Sequence, residues 1–165
     1  MKGLFTFITI SFLLTSCTVS FINVGIDYTV LKSFSVEQFD TQAGNAPPTA
    51  GQQFSEQLKN KILSNTRLAY QDEEGDIQIS GKVSNYQVQS LAPNADQSVS
   101  LQRLNITVQV EYVNSKDKSE TWQQSFKRFA DFDATIDLST VEDQLIQEVY
   151  DQIIEDVFNK AFSGW

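Results

Sequence analysis

The sequence predicts an α+β fold. It is a two-layer sandwich with two helices packed on one face of a four- to five-stranded, mostly antiparallel mixed sheet, in the order β-α-β-β-β-β-α. Three observations carry this. Two segments place apolar residues every three to four positions, the period of a helix with one buried stripe. Three long segments alternate apolar and polar residues and are separated by turn signals, the period of half-buried strands. The chain has 165 residues, 41% of them hydrophobic, which fills one core and leaves no room for two. Helices at either end of a run of strands bury their stripes by lying on the sheet.

Residues 1–16 are an address rather than part of the fold. Met1-Lys2-Gly3 carries one positive charge, and Leu4 to Leu14 is apolar apart from Thr and Ser. This is the pattern of a secretory signal, and at about eleven residues the run is too short for an untilted span of ~20. It ends in Leu14-Thr15-Ser16-Cys17. That tetrapeptide resembles the bacterial lipobox, in which small residues admit the peptidase and the Cys takes a diacylglycerol and becomes the new N-terminus. Cys17 is the single cysteine of the chain and stands at the required place. Several buried acyl chains, at ~0.8 kcal/mol per CH₂, make a stable anchor. Thr18-Val19-Ser20 follow, without the Asp that suggests inner-membrane retention or an acidic cluster for surface export. The expected location is the outer membrane, facing the periplasm. Residues 17–26 then form an acylated tether and 27–165 a single sandwich domain.

Within that domain, residues 28–36 are β-branched and aromatic and read as the first strand. Residues 40–48 contain Gly44, Asn45, Pro47 and Pro48 and read as a loop. Phe54, Leu58 and Ile62 mark a helix over 50–66. Residues 68–70 form a short strand, and Asp72-Glu73-Glu74-Gly75-Asp76 a solvated hairpin turn. Ile77, Ile79 and Val83 share one parity of the next strand, where Gly81 marks a bulge or a close approach. Over 99–113, Leu104, Ile106, Val108, Val110 and Tyr112 alternate with polar residues. Over 121–133, Trp122, Phe126, Ala130 and Phe132 share one parity. Consecutive strands of this kind imply an antiparallel meander. The last helix, 139–162, has two adjacent apolar rows, one running from Val141 to Ala161 and one from Ile146 to Phe162. Ser139 and Glu142 have the spacing of a capping box.

Composition excludes much chemistry. There is no His, so Ser-His-Asp and Cys-His catalysis and His metal ligands are absent. One Cys forms neither an internal disulfide nor a thiolate cluster. No glycine-rich phosphate loop is present, and no carboxylate pair is singled out as acid and base. The net charge of −9 argues against nucleic-acid binding. Without Lys2 the mature chain has 11 basic against 21 acidic side chains, or −10 before its termini. The 72–76 acidic cluster lacks EF-hand spacing, and no metal or cofactor is expected. Arg103, Lys127, Arg128 and Lys82 lie on predicted strands. If those strands are neighbours, Lys82 and Arg128 sit near Arg103 in a local basic patch fit for glycolipid phosphates or a barrel wall; the alternative, which the few cations favour, is scattered surface charge. Phe129, on the opposite parity from Phe132, reads either as an exposed aromatic available to a partner or as the mark of a local bulge.

A series of segments then resembles a known family. It comprises Cys17 followed by Ser20-Phe21, the helix end Ile62-Leu63-Ser64-Asn65-Thr66-Arg67-Leu68, and Gly75-Asp76-Ile77-Gln78-Ile79-Ser80-Gly81. Arg103-Leu104-Asn105-Ile106-Thr107-Val108, Ser125-Phe126-Lys127-Arg128-Phe129-Ala130-Asp131 and Val141-Glu142-Asp143-Gln144-Leu145 follow, and the chain closes Asp156-Val157-Phe158-Asn159-Lys160-Ala161-Phe162-Ser163-Gly164-Trp165. In order and spacing this is similar to the LptE-type lipopolysaccharide-assembly lipoproteins of Gram-negative bacteria. The resemblance implies two helices on a mostly antiparallel sheet, as the periodicity does independently. It also implies a non-enzymatic plug and assembly partner, in a 1:1 complex, of the outer-membrane β-barrel LptD, taking part in delivery of lipopolysaccharide to the outer leaflet. The rival expectation is a free periplasmic carrier of a lipid or peptide, which requires a cavity between helices and sheet.

Overall fold

The computed structural model describes residues 25–92 and 100–163. The elements are β1 (Ser33–Val36), β2 (Asp40–Thr41), α1 (Ala50–Asn65), β3 (Ala69–Tyr70), β4 (Ile77–Ser90), β5 (Leu101–Asn114), β6 (Trp122–Asp133) and α2 (Leu138–Phe162), with a 3-10 turn at Lys118–Glu120. They form the expected sandwich, two helices on a six-stranded mixed sheet of order β3-β1-β4-β5-β6, with β2 paired to β4 beyond β1.

β4, β5 and β6 are the antiparallel meander, with Val83 opposite Val108 and Val108 opposite Phe126. β1 runs parallel to both β3 and β4. The acidic turn therefore joins two strands separated by β1 and is not a hairpin. A register shift between Val83 and Asn85 marks the bulge in β4. Gly81 is instead the close approach. A Cβ there would lie 2.1 Å from the Gln109 carbonyl oxygen and 2.6 Å from the Phe39 ring.

Two boundaries differ from the sequence reading. The first strand shrinks to 33–36 because Asp27 folds the chain before it. The Asp27 carboxylate accepts from the Thr29 N–H and hydroxyl, and its carbonyl accepts from the N–H groups of Val30 and Leu31. The 40–48 loop contains the two-residue β2, parallel to Lys82 and Val83 of β4. Local composition carries no signal for a strand this short, whose existence depends on β4.

α1 buries Phe54, Leu58 and Ile62 completely, as their four-residue spacing requires. Ser55 ties it to the chain beneath, accepting from the Phe39 N–H at 2.8 Å and donating to the Gly51 carbonyl at 3.0 Å. α2 buries Leu145, Val149, Ile153 and Val157 from one row and Ile146, Tyr150, Ile154, Phe158 and Phe162 from the other. The Tyr150 hydroxyl donates to the Ala50 carbonyl at 3.0 Å, locking the helices together, and burial pushes the phenol far above its ordinary pKa. Phe39, Phe54 and Tyr150 pack in sequence with ring centroids 5.0 and 5.1 Å apart, the first pair tilted and the second edge-to-face. The α2 cap is Asp137, not Ser139. The Asp137 carboxylate accepts from the Ser139 N–H at 2.9 Å and hydroxyl at 2.7 Å, placing Ser139 inside the helix. Glu142 leaves the capping role and accepts from the Tyr86 hydroxyl on β4.

Candidate functional site

Alternation along the strands leaves the face of the sheet away from the helices open. β4 contributes Gln78, Ser80 and Lys82 to it, β5 contributes Arg103 to Glu111 at odd positions, and β6 contributes Gln123, Ser125, Lys127, Phe129 and Asp131. This face is polar. A concavity of about 410 Å³ on it is walled by Glu37, Asp40, Lys82, Gln109, Glu111 and Gln123 among others. Such a surface offers hydrogen bonds to a polar partner and little apolar anchorage.

The four predicted cations do not gather on it. Lys82 lies opposite Gln109, six positions along β5 from Arg103, which is about 20 Å at the rise of a strand. It makes no ion pair among the described residues. Arg103 forms a two-pronged pair with its cross-strand neighbour Asp131, at 2.6 and 2.8 Å, and its guanidinium lies 3.6 Å from the centre of the Phe129 ring. The pair holds the Asp131 carboxyl below the usual range and raises Arg103. Lys127 is exposed on the same face and unpaired among the described residues.

Arg128 points the other way. It shares parity with Phe126 and Ala130 and reaches up at the edge of the sheet to Asp156 of α2, with two contacts of 2.7 Å. The expected proximity of Lys82 and Arg128 to Arg103 is therefore corrected: one is displaced along the strands and the other is on the opposite face. The parity of Arg128 was readable in the sequence. Its counter-ion was not, because Asp156 is brought there by the packing of a helix 28 residues on.

Sequence reasoning also missed Asn105, buried on the open face with its side-chain nitrogen unpartnered among the described residues, and the structural part played by Asp76. Asp76 accepts from the backbone N–H groups of Lys32 and Ser33 at 2.9 and 3.1 Å, and from Lys116 at 2.9 Å. The Lys116 and Lys32 contacts, chiefly, hold its carboxyl at about 2. Among the described residues no three metal-binding side chains converge.

The space between the layers is filled by side chains. One opening of about 210 Å³, at the end of the sandwich, is bounded by Ile26, Tyr112, Trp122, Lys160 and Phe162. It is smaller than the ~300–1,000 Å³ of ordinary ligand pockets. Its wall is stiffened by the Tyr112–Trp122 stack at 5.2 Å, with the Lys160 ammonium 5.2 Å from the Trp122 ring. Cys17 and the tether up to residue 24 lie outside the described residues. Among those described, no helix is long and apolar enough to cross a membrane.

Comparison with known proteins places the chain by sequence. The profile of the LptE family, described as lipopolysaccharide-assembly, matches residues 31–161. No curated protein matches. Among solved structures, a minor lipoprotein from Acinetobacter baumannii superposes with a TM-score of 0.51 at 17% identity, over 79% of this chain and 92% of that one. Rare lipoprotein B from Shewanella oneidensis gives 0.49 at 8% identity, over 78% and 90%. A chain of the PelC dodecamer from Paraburkholderia phytofirmans gives 0.45 at 14%, over 76% and 89%. The first of these likenesses bears on the fold alone.

Proposed function

The chain belongs to the LptE family of lipopolysaccharide-assembly proteins, and from that premise we propose that it is a non-enzymatic outer-membrane lipoprotein. In this reading it is anchored through Cys17, plugs an LptD-type β-barrel in a 1:1 complex and helps that barrel assemble. It makes or breaks no bond. It contributes a preformed polar surface that fits a polar lumen, and it takes part in delivering lipopolysaccharide through it. The family match over residues 31–161 carries the proposal. The open sheet face supports it by offering polar side chains of β4, β5 and β6 to a polar lumen wall. The mature chain's 11 basic against 21 acidic side chains, or −10, suit a basic lumen wall. Lys82, Arg103, Lys127 and Arg128 are proposed as barrel or glycolipid contacts, Lys82 and Lys127 being the two that need break no ion pair among the described residues. For the carrier reading the opening that sheet and α2 residues share at the end of the sandwich, about 210 Å³, is smaller than an ordinary ligand pocket.

Purification of the tagged full chain from outer membranes in mild detergent, followed by mass spectrometry, tests this. The expected companion is one large β-barrel at equal stoichiometry. Depletion should leave that barrel misassembled and the cell permeable to bulky hydrophobic drugs. A lipoprotein that purifies alone, with barrel levels unchanged by its removal, overturns the proposal.

A further inference from the structure

β6 is a 12-residue strand with one edge unpaired among the described residues. The Ala134 N–H donates to the Ser100 carbonyl across the β5–β6 ladder, so even-numbered β6 residues turn their backbone groups toward β5. Those of Gln123, Ser125, Lys127, Phe129 and Asp131 therefore face outward. An edge of this length is a template for another strand. Edges are usually protected by charge, and Lys127 and Arg128 stand at its centre. An antiparallel pairing centred on Lys127 opposes two lysines, and one centred on Arg128 opposes two arginines; both are disfavoured.

A pairing centred on Phe129 has neither fault. It sets Phe129 against the partner's Phe129 and Lys127 against the partner's Asp131, twice by symmetry. On the helix side it sets Phe126 against the partner's Phe132, and Arg128 against the partner's Ala130, where the small side chain leaves room for the Arg128–Asp156 pair. Phe129 and Ile136, each 44% exposed, are two of the four large apolar side chains left exposed among the described residues. All the backbone groups that meet in this register are outward-facing ones.

We infer that the β6 edge pairs with the β6 edge of a second copy of this chain, antiparallel and centred on Phe129, continuing the sheet across two protomers. The inference rests on the edge and its self-complementary charges and is independent of the barrel proposal. The pairing is weak and concentration-dependent, as a contact of one strand per protomer must be.

Cysteine cross-linking of the full chain in mild detergent tests it. Phe129→Cys places two thiols on the symmetry axis with Cα atoms about 5.5 Å apart, within disulfide reach. Under copper–phenanthroline oxidation, F129C should give a covalent dimer. Peptide mass mapping identifies the bridge, so that Cys17 is not miscounted. K127C and D131C, which leave Phe129 in place, should each cross-link roughly fivefold less alone. Mixed together they should yield the 127–131 heterodimer. Lys127→Asp, opposing two carboxylates, should weaken dimerisation of the uncross-linked chain about tenfold by sedimentation. Failure of F129C and of the K127C/D131C mixture to cross-link, with circular dichroism unchanged, overturns the inference. So does K127C cross-linking as well as F129C, which would put the axis elsewhere.

Discussion

Asp76 shows how much one carboxylate can hold. It satisfies two backbone donors at the start of β1 and pairs with Lys116 beyond β5, so three segments depend on it. Its folded pKa is about 2 against an ordinary 3.8. Between these values the unfolded chain binds more protons than the folded one, so stability rises with pH. The contribution is complete above about pH 4 and is lost as pH falls toward about 2. Asp76→Asn keeps the shape but removes the charge, and it should cost about 1–3 kcal/mol at neutral pH. Urea melts of both proteins should converge as the pH is lowered through that window. A difference that stays constant with pH would mean that the charge plays no part. The sequence shows Asp76 as one of four acids in a turn. Only the return of β4 beside β1 makes it different from Asp72, which stays in water.

At the level of elements, what periodicity reports was legible and what distant pairing decides was not. The two helices and the three long strands each carry their own pattern, because each buries one face over many residues. β2 and the true start of β1 carry none, being set by β4 and by the Asp27 turn. Of the site, the open polar face was legible through parity, as was exposed Phe129. The convergence of cations was not, since register and counter-ions belong to the folded chain. The cap of α2 makes the distinction testable. Asp137→Ala removes the acceptor for the Ser139 N–H and should lower the thermal midpoint by a few degrees. Ser139→Ala removes only a hydroxyl donor and should cost about half of that or less. The capping-box reading of the sequence predicts the reverse order, so thermal melts of the two variants choose between them.

At the scale of the whole molecule, the proposed anchor and the fold can be tested separately. The buried core of the described residues begins at Ile26 and closes between the helices and the sheet. Cys17 lies eight residues before Gly25, a covalent reach of at most about 29 Å. In the proposed role the lipid holds the chain at the membrane, while the sandwich alone supplies the fit to the barrel. Cys17→Ser should therefore abolish incorporation of labelled palmitate and leave the thermal midpoint within a degree or so, the described core beginning at Ile26. Barrel assembly should fall at native expression and recover on overexpression, because the anchor acts by raising local concentration rather than by making the contact. Palmitate labelling that persists in the variant would remove Cys17 as the acylated residue. Recovery that never comes, with the domain folded in the periplasm, would show that the lipid itself is part of the interface.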